Sequence, residues 1–148
     1  MISFRMYMTE MSKSRLRNDP IQFNTGTIKG TKEAIKMLQD DASRNFSGAN
    51  QLQTRSGYLR RSIKSSVRVV GLGLIEGSLG SDAIYAAIQE YGGVITASAK
   101  NYLTFIGRGG WVKVKSVTIP PRPFLSTAID RNKVTMRQRI INGINKEI

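Results

Sequence analysis

Cysteine and histidine are both absent from the 148-residue sequence. Their absence excludes disulfides, thiolate nucleophiles, haem attachment and zinc sites built from Cys or His. It also excludes a Ser-His-Asp triad and a histidine general base. Compartment does not follow, because oxidising and reducing spaces both tolerate chains without cysteine. Acidic residues are scarce: 10 Asp and Glu face 23 Lys and Arg, leaving +13. No apolar run approaches the roughly 18 residues of a membrane span. The segment Met1-Ile2-Ser3-Phe4-Arg5-Met6 lacks the apolar core of a signal peptide. The expectation is a soluble, non-secreted domain that is not an enzyme and holds no metal or cofactor.

What is present fits one globular domain over residues 1–148. A mass of 16.4 kDa with 40% apolar residues is enough to bury a core without staples. Residues 1–68 carry 13 basic and 5 acidic side chains, and residues 69–148 carry 10 and 5. No block of five like charges occurs, so a disordered basic tail is not expected. There is no internal repeat and no low-complexity segment.

Periodicity supplies the elements. Ile2, Phe4, Met6 and Met8 alternate with polar neighbours and predict a strand, followed by a polar loop to residue 26 with a turn at Asn18-Asp19-Pro20. A helix is predicted after Gly30, with Ile35, Leu38, Ala42 and Phe46 on one face, then a loop over Asn45 to Gln53. A shorter helix is predicted to carry Leu59 and Ile63, four residues apart. Val67 and Val69, then Leu72 and Leu74, predict two strands interrupted by Gly71 and Gly73. Ser81 or Asp82 is placed to cap a helix whose stripe is Ile84, Ala87, Ile88 and Tyr91, ended by Gly92-Gly93.

Strands follow at Tyr102 to Ile106 and Trp111 to Ile119, with Gly107-Arg108-Gly109-Gly110 as a hairpin loop and a bulge near Lys115-Ser116. Pro123 is predicted to open a last helix over 123–148, buried along Leu125, Ile129, Met136, Ile140 and Ile144. The class is α+β: a mostly antiparallel sheet, three to four helices and an extended β-hairpin near 102–115.

Three patterns bear on chemistry. Gly71, Gly73 and Gly77 miss the G-x-G-x-x-G spacing by one residue, and no helix plainly follows them, so nucleotide binding is not expected. Glu76, Asp82 and Glu90 are the carboxylates that a glycoside hydrolase would need, but surface acids and a helix cap explain them more simply. Basic residues interleaved with aromatics are the stronger signal. Arg55, Tyr58, Arg60, Arg61, Lys64 and Arg68 form one group, and Arg108, Trp111, Lys113 and Lys115 form a second. Clustered cations and exposed rings suit phosphate contacts and stacking, so a small basic nucleic-acid-binding protein is one reading.

Three segments, taken in order, resemble a family. They are Arg55-Ser56-Gly57-Tyr58-Leu59-Arg60-Arg61-Ser62-Ile63, Ile84-Tyr85-Ala86-Ala87-Ile88-Gln89-Glu90-Tyr91-Gly92-Gly93, and Val117-Thr118-Ile119-Pro120-Pro121-Arg122-Pro123-Phe124-Leu125. Together they resemble the virion-morphogenesis or tail-completion proteins of tailed bacteriophages over residues 55–130. Gln89 stands where that family often has histidine, and Pro121 where it usually has a small residue.

The resemblance implies a structural protein of the virion neck, assembled in the host cytoplasm as a homo-oligomeric ring, commonly a hexamer. Such a ring ends the tail tube or joins the tail to the head connector, and genomic DNA passes through its lumen. It implies no membrane partner, small-molecule substrate or cofactor. Within the family-like segments and the hairpin, Gly57, Leu59, Ile63, Tyr85, Gly92, Pro123, Phe124 and Leu125 are expected to set the fold. Arg60, Arg61, Lys64, Arg108, Trp111, Lys113 and Arg122 are the expected contacts with partner subunits. Six copies at +13 carry +78, so much of this charge is expected to face acidic tail or connector proteins rather than the lumen.

Overall fold

The computed structural model describes residues 2–5, 19–44, 57–71, 74–98, 101–107 and 109–147. In chain order the elements are β1 (Ile2–Arg5), α1 (Pro20–Arg44), α2 (Tyr58–Arg61), β2 (Ile63–Gly71), β3 (Leu74–Ser81), α3 (Ala86–Tyr91), β4 (Gly93–Thr96), β5 (Leu103–Gly107), β6 (Gly110–Val114), β7 (Ser116–Ile119) and α4 (Leu125–Glu147). Every strand pairing is antiparallel, and the class is α+β. The sheet is split three ways, into β1-β3-β2 and two ribbons, β4-β7 and β5-β6. Two compact units result: residues 1–83 with 124–148, and residues 84–123.

The first unit is built on α1 and α4. Asp19 Oδ1 accepts the Gln22 N–H at 3.0 Å and Pro20 occupies the first helical position, so the Asp19-Pro20 turn is a helix start. The helix begins ten residues before its predicted start, which corrects the polar loop expected up to residue 26. Gly26 and Gly30 cost helix propensity, about 1 kcal/mol each relative to alanine, but they form a notch for α4. A Cβ on Gly26 would lie 2.7 Å from Ile144 Cα, one on Gly30 2.7 Å from Ile140 Cα, and one on Gly143 2.6 Å from Gly30 Cα. The two backbones touch there. Phe23, Ala34, Ile140 and Ile144 form a buried cluster, with Met136 packed against it. Polar ties brace the pair: Lys29 Nζ to Glu147 Oε1 at 2.8 Å and Asn132 Nδ2 to Asp41 Oδ2 at 2.7 Å.

Helix α1 also packs on β2 and β3. Gln39 fixes the contact: its Nε2 donates to Ile63 O at 2.9 Å, and its Oε1 accepts the Ser65 hydroxyl at 2.6 Å. Opposed residues in an antiparallel pair share a face, so the register Ser65↔Leu79 and Val69↔Ile75 lines up one row of side chains. Leu79 and Ile75 are buried on the central strand, as Leu38 is on α1. Ile63 is not helical as predicted. Helix α2 has only four residues, because Ser62 closes it with its Oγ on Leu59 O at 2.7 Å, and Ile63 opens β2 in a buried position.

Helix α4 starts at Leu125, two residues beyond the predicted Pro123 start. Its predicted face holds: Leu125, Ile140 and Ile144 are buried, and Ile129 and Met136 half-buried. Met6, Met8, Phe46 and the loop at 45–53 lie outside the described residues, as do Leu72 and Gly73.

The glycine contact gives a direct test. Gly30→Ala gains helix propensity but drives a methyl into backbone, and such overpacking costs about 1–3 kcal/mol. A net loss of about 1 kcal/mol is expected in urea unfolding, whereas Lys32→Ala on the exposed face of the same helix is expected to change little.

Candidate functional site

Arg60 and Arg61 are exposed on α2, a single turn launched from Gly57, which adopts φ 68° and so needs glycine. Leu59 is the buried anchor of that turn. The rest of this basic group is engaged internally. Lys64 forms an ion pair with Asp82, which raises its pKa above the usual lysine range through the hydrogen bond and then the charge of that carboxylate. Arg68 Nη2 lies 2.6 Å from Glu76 Oε2, whose side chain is 10% exposed. Glu76 and Asp82 are thus halves of ion pairs on the first unit, while Glu90 is buried in α3 of the second. Arg55 and Arg108 lie outside the described residues.

The second unit shows why two of the three family-like segments go together. Helix α3 begins at Ala86, after Tyr85 in the cap position without a side-chain cap hydrogen bond. The predicted cap is corrected: Ser81 Oγ instead accepts the Ala83 N–H at 3.2 Å. Gly92 ends α3 at φ 71°, and a Cβ there would lie 2.8 Å from Pro121 N. The Arg122 N–H donates to Gln89 O at 2.7 Å, and β4 pairs with β7 from Gly93↔Ile119 to Thr96↔Ser116. The Ile84–Gly93 and Val117–Leu125 segments are therefore joined through backbone. Strand β4 was missed because its Val94-Ile95 pair is short and neither residue is buried. The strand predicted over 111–119 divides at Lys115 into β6 and β7, where the bulge was expected. Phe124 and Leu125, just beyond this unit, are buried in the first.

This unit buries very little. Among the described residues of 84–123 only Ala86 and Glu90 are buried. The predicted stripe of α3 is corrected: Ile84 is 98% and Tyr91 68% exposed, because this six-residue helix buries the Ala86–Glu90 side instead. On β5-β6, cross-strand pairs place Ile106 beside Trp111 and Thr104 beside Lys113. Trp111 is 76% exposed, and Phe105 and Tyr102 are exposed as well. Lys113 Nζ lies 4.8 Å and Lys115 Nζ 5.1 Å from the centroid of the Tyr102 ring, a double cation–π contact. Residues 91–129 contain no Asp or Glu. The result is an apolar and aromatic surface edged by cations.

Among the described residues no group of three or more Asp and Glu is placed to hold a metal ion, and no helix is long and apolar enough to cross a membrane. Comparison with protein-family models, curated proteins and solved structures finds no match to this chain.

Gly92→Ala probes the junction of the two segments. At φ 71° and ψ −177° the backbone is in a region open essentially to glycine, at a cost of about 1–3 kcal/mol to a residue with a Cβ, and here the methyl also meets Pro121 N. Amide exchange in Gly93–Thr96 and Ser116–Ile119 is expected to accelerate at least tenfold, with little change in α1.

Proposed function

We propose that the chain is a structural protein of a tailed-phage neck, which self-associates into a ring that ends the tail tube or joins the tail to the head connector. The observation that carries this reading is the second unit. No residue of its two ribbons is buried, their better-covered side chains (Val112, Val114, Val117 and Ile119 among them) being only half-buried, and a two-stranded ribbon alone is marginal in water. Open strand edges and exposed large apolar side chains need a covering partner, and assembly supplies one. The ordered segments resembling tail-completion proteins support the same reading, and the backbone joining of two of them gives their residues a common structural purpose.

In this reading the mechanism is docking without chemistry. The first unit is the rigid body, and the second presents ribbons and α3 to neighbours. Arg60, Arg61 and Arg122 are exposed and suit acidic partner surfaces, whereas Lys64 is held by Asp82. Six as the subunit number rests on the family resemblance. The acid-free stretch 91–129 with its lysine pair favours a second reading, a small basic nucleic-acid-binding protein.

Light scattering on the purified chain tests self-association: the expected mass is a multiple of 16.4 kDa, near sixfold. Disruption of the gene in its phage is expected to leave filled heads beside detached tails in negative stain. Irregular tail lengths would mark a terminator, and uniform ones a joining protein. Infectious intact virions, with steeply salt-dependent DNA binding by the purified chain, would hand the function to the nucleic-acid reading.

A further inference from the structure

The second unit carries five cations, and its one acid, Glu90, is buried. Two such units facing each other would set like charges together, so a two-fold contact through this surface is disfavoured. A head-to-tail contact, the kind that closes rings, joins two different surfaces. The complementary surface must therefore lie on the first unit, offer carboxylates without partners of their own, and have room for a large side chain.

Among the described residues, a groove on the first unit meets these needs. It runs along α1 and α4 with a volume of about 370 Å³, lined by Glu33, Met37 and Asp40 among others. These three residues are four and then three positions apart, so they share one helix face. Glu33 and Asp40 are exposed, and among the described residues their side chains have no ion-pair or hydrogen-bond partner, unlike the neighbouring Asp41, which is held by Asn132 and Arg131. With Lys36, Arg44 and Arg139 also on its walls, the groove is locally neutral on a chain of +13. It admits a basic element that most of this surface repels.

We propose that the β5-β6 hairpin of one copy seats in the α1–α4 groove of the next, with Trp111 against Met37 and with Lys113 and Lys115 on Glu33 and Asp40. The spacings are comparable: Lys113 on β6 and Lys115, one residue beyond its end, are about 7 Å apart along extended chain, and the two carboxylates roughly 10 Å apart along the helix. The flexible lysine stems span the difference. Tyr102 holds both ammonium groups near its ring, which lowers the entropy lost when they pair. Trp111, exposed and one pair from the turn of the hairpin, is the anchor type that dominates interface energetics. This inference rests on the self-association proposed above and names its surfaces.

Charge reversal with rescue is the test. Lys113→Glu with Lys115→Glu, and separately Glu33→Lys with Asp40→Lys, are expected to raise the concentration for half-assembly at least tenfold in sedimentation velocity. The chain carrying all four changes is expected to return to within about threefold of wild type, and Trp111→Ala to weaken assembly at least tenfold. Circular dichroism checks that each variant is folded, and the four positions are all exposed. A wild-type chain that stays monomeric overturns self-association, and this contact with it. A wild type that assembles, with reversed variants that assemble equally well or fail to rescue each other while folded, overturns only this contact. Unchanged assembly with loss of duplex DNA binding in the lysine variant would assign the hairpin to nucleic acid.

Discussion

The backbone contact of α1 with α4 at Gly26, Gly30 and Gly143 is the constraint on which the first unit depends. Three missing Cβ atoms let two helices approach until Cα meets Cα, and Phe23, Ala34, Ile140 and Ile144 close around the crossing. The position of α1 then fixes the sheet, because Gln39 reaches from it to both backbone and side chain of β2. The groove of mixed charge is a product of the same crossing, since Glu33 and Asp40 come from α1 while Asn132 and Arg139 come from α4.

The two units differ in what holds them together. The first holds nearly all of the buried apolar side chains and pairs several of its carboxylates with cations. The second keeps order mainly through backbone: ribbon ladders, the Gly92 turn and the Arg122–Gln89 hydrogen bond. Most of its described side chains are exposed. A unit held together by main chain and faced with Trp, Tyr, Phe and Ile has the composition of an interface core rather than a domain core.

Much of this was readable in advance. Alternation marked the hairpin, the proline run marked the end of β7, and helical spacing gave the buried face of α4. The start of α1 was not readable, because glycine weakens a helix locally and only a partner 113 residues away turns Gly30 into a packing position. Ile63 misled for a related reason: four-residue spacing from Leu59 fits a helix, but the Ser62 hydroxyl ends the turn first. The stripe of α3 was legible as apolar yet was assigned to the core. Periodicity shows which residues share a face and cannot say whether this chain or another covers it. The same limit applies to Lys64 and Arg68, whose charge was plain while their carboxylate partners depended on strand register.

The glycine crossing also sets the order of events during synthesis. With two interior glycines and its apolar face uncovered, α1 is a weak helix on its own. Its partner surface does not exist until residue 143 has been made. The core of the first unit therefore closes through a contact spanning most of the chain, the kind of topology that folds slowly. Until that happens the groove has only one wall. A nascent chain therefore carries an unfinished groove until α4 has been made.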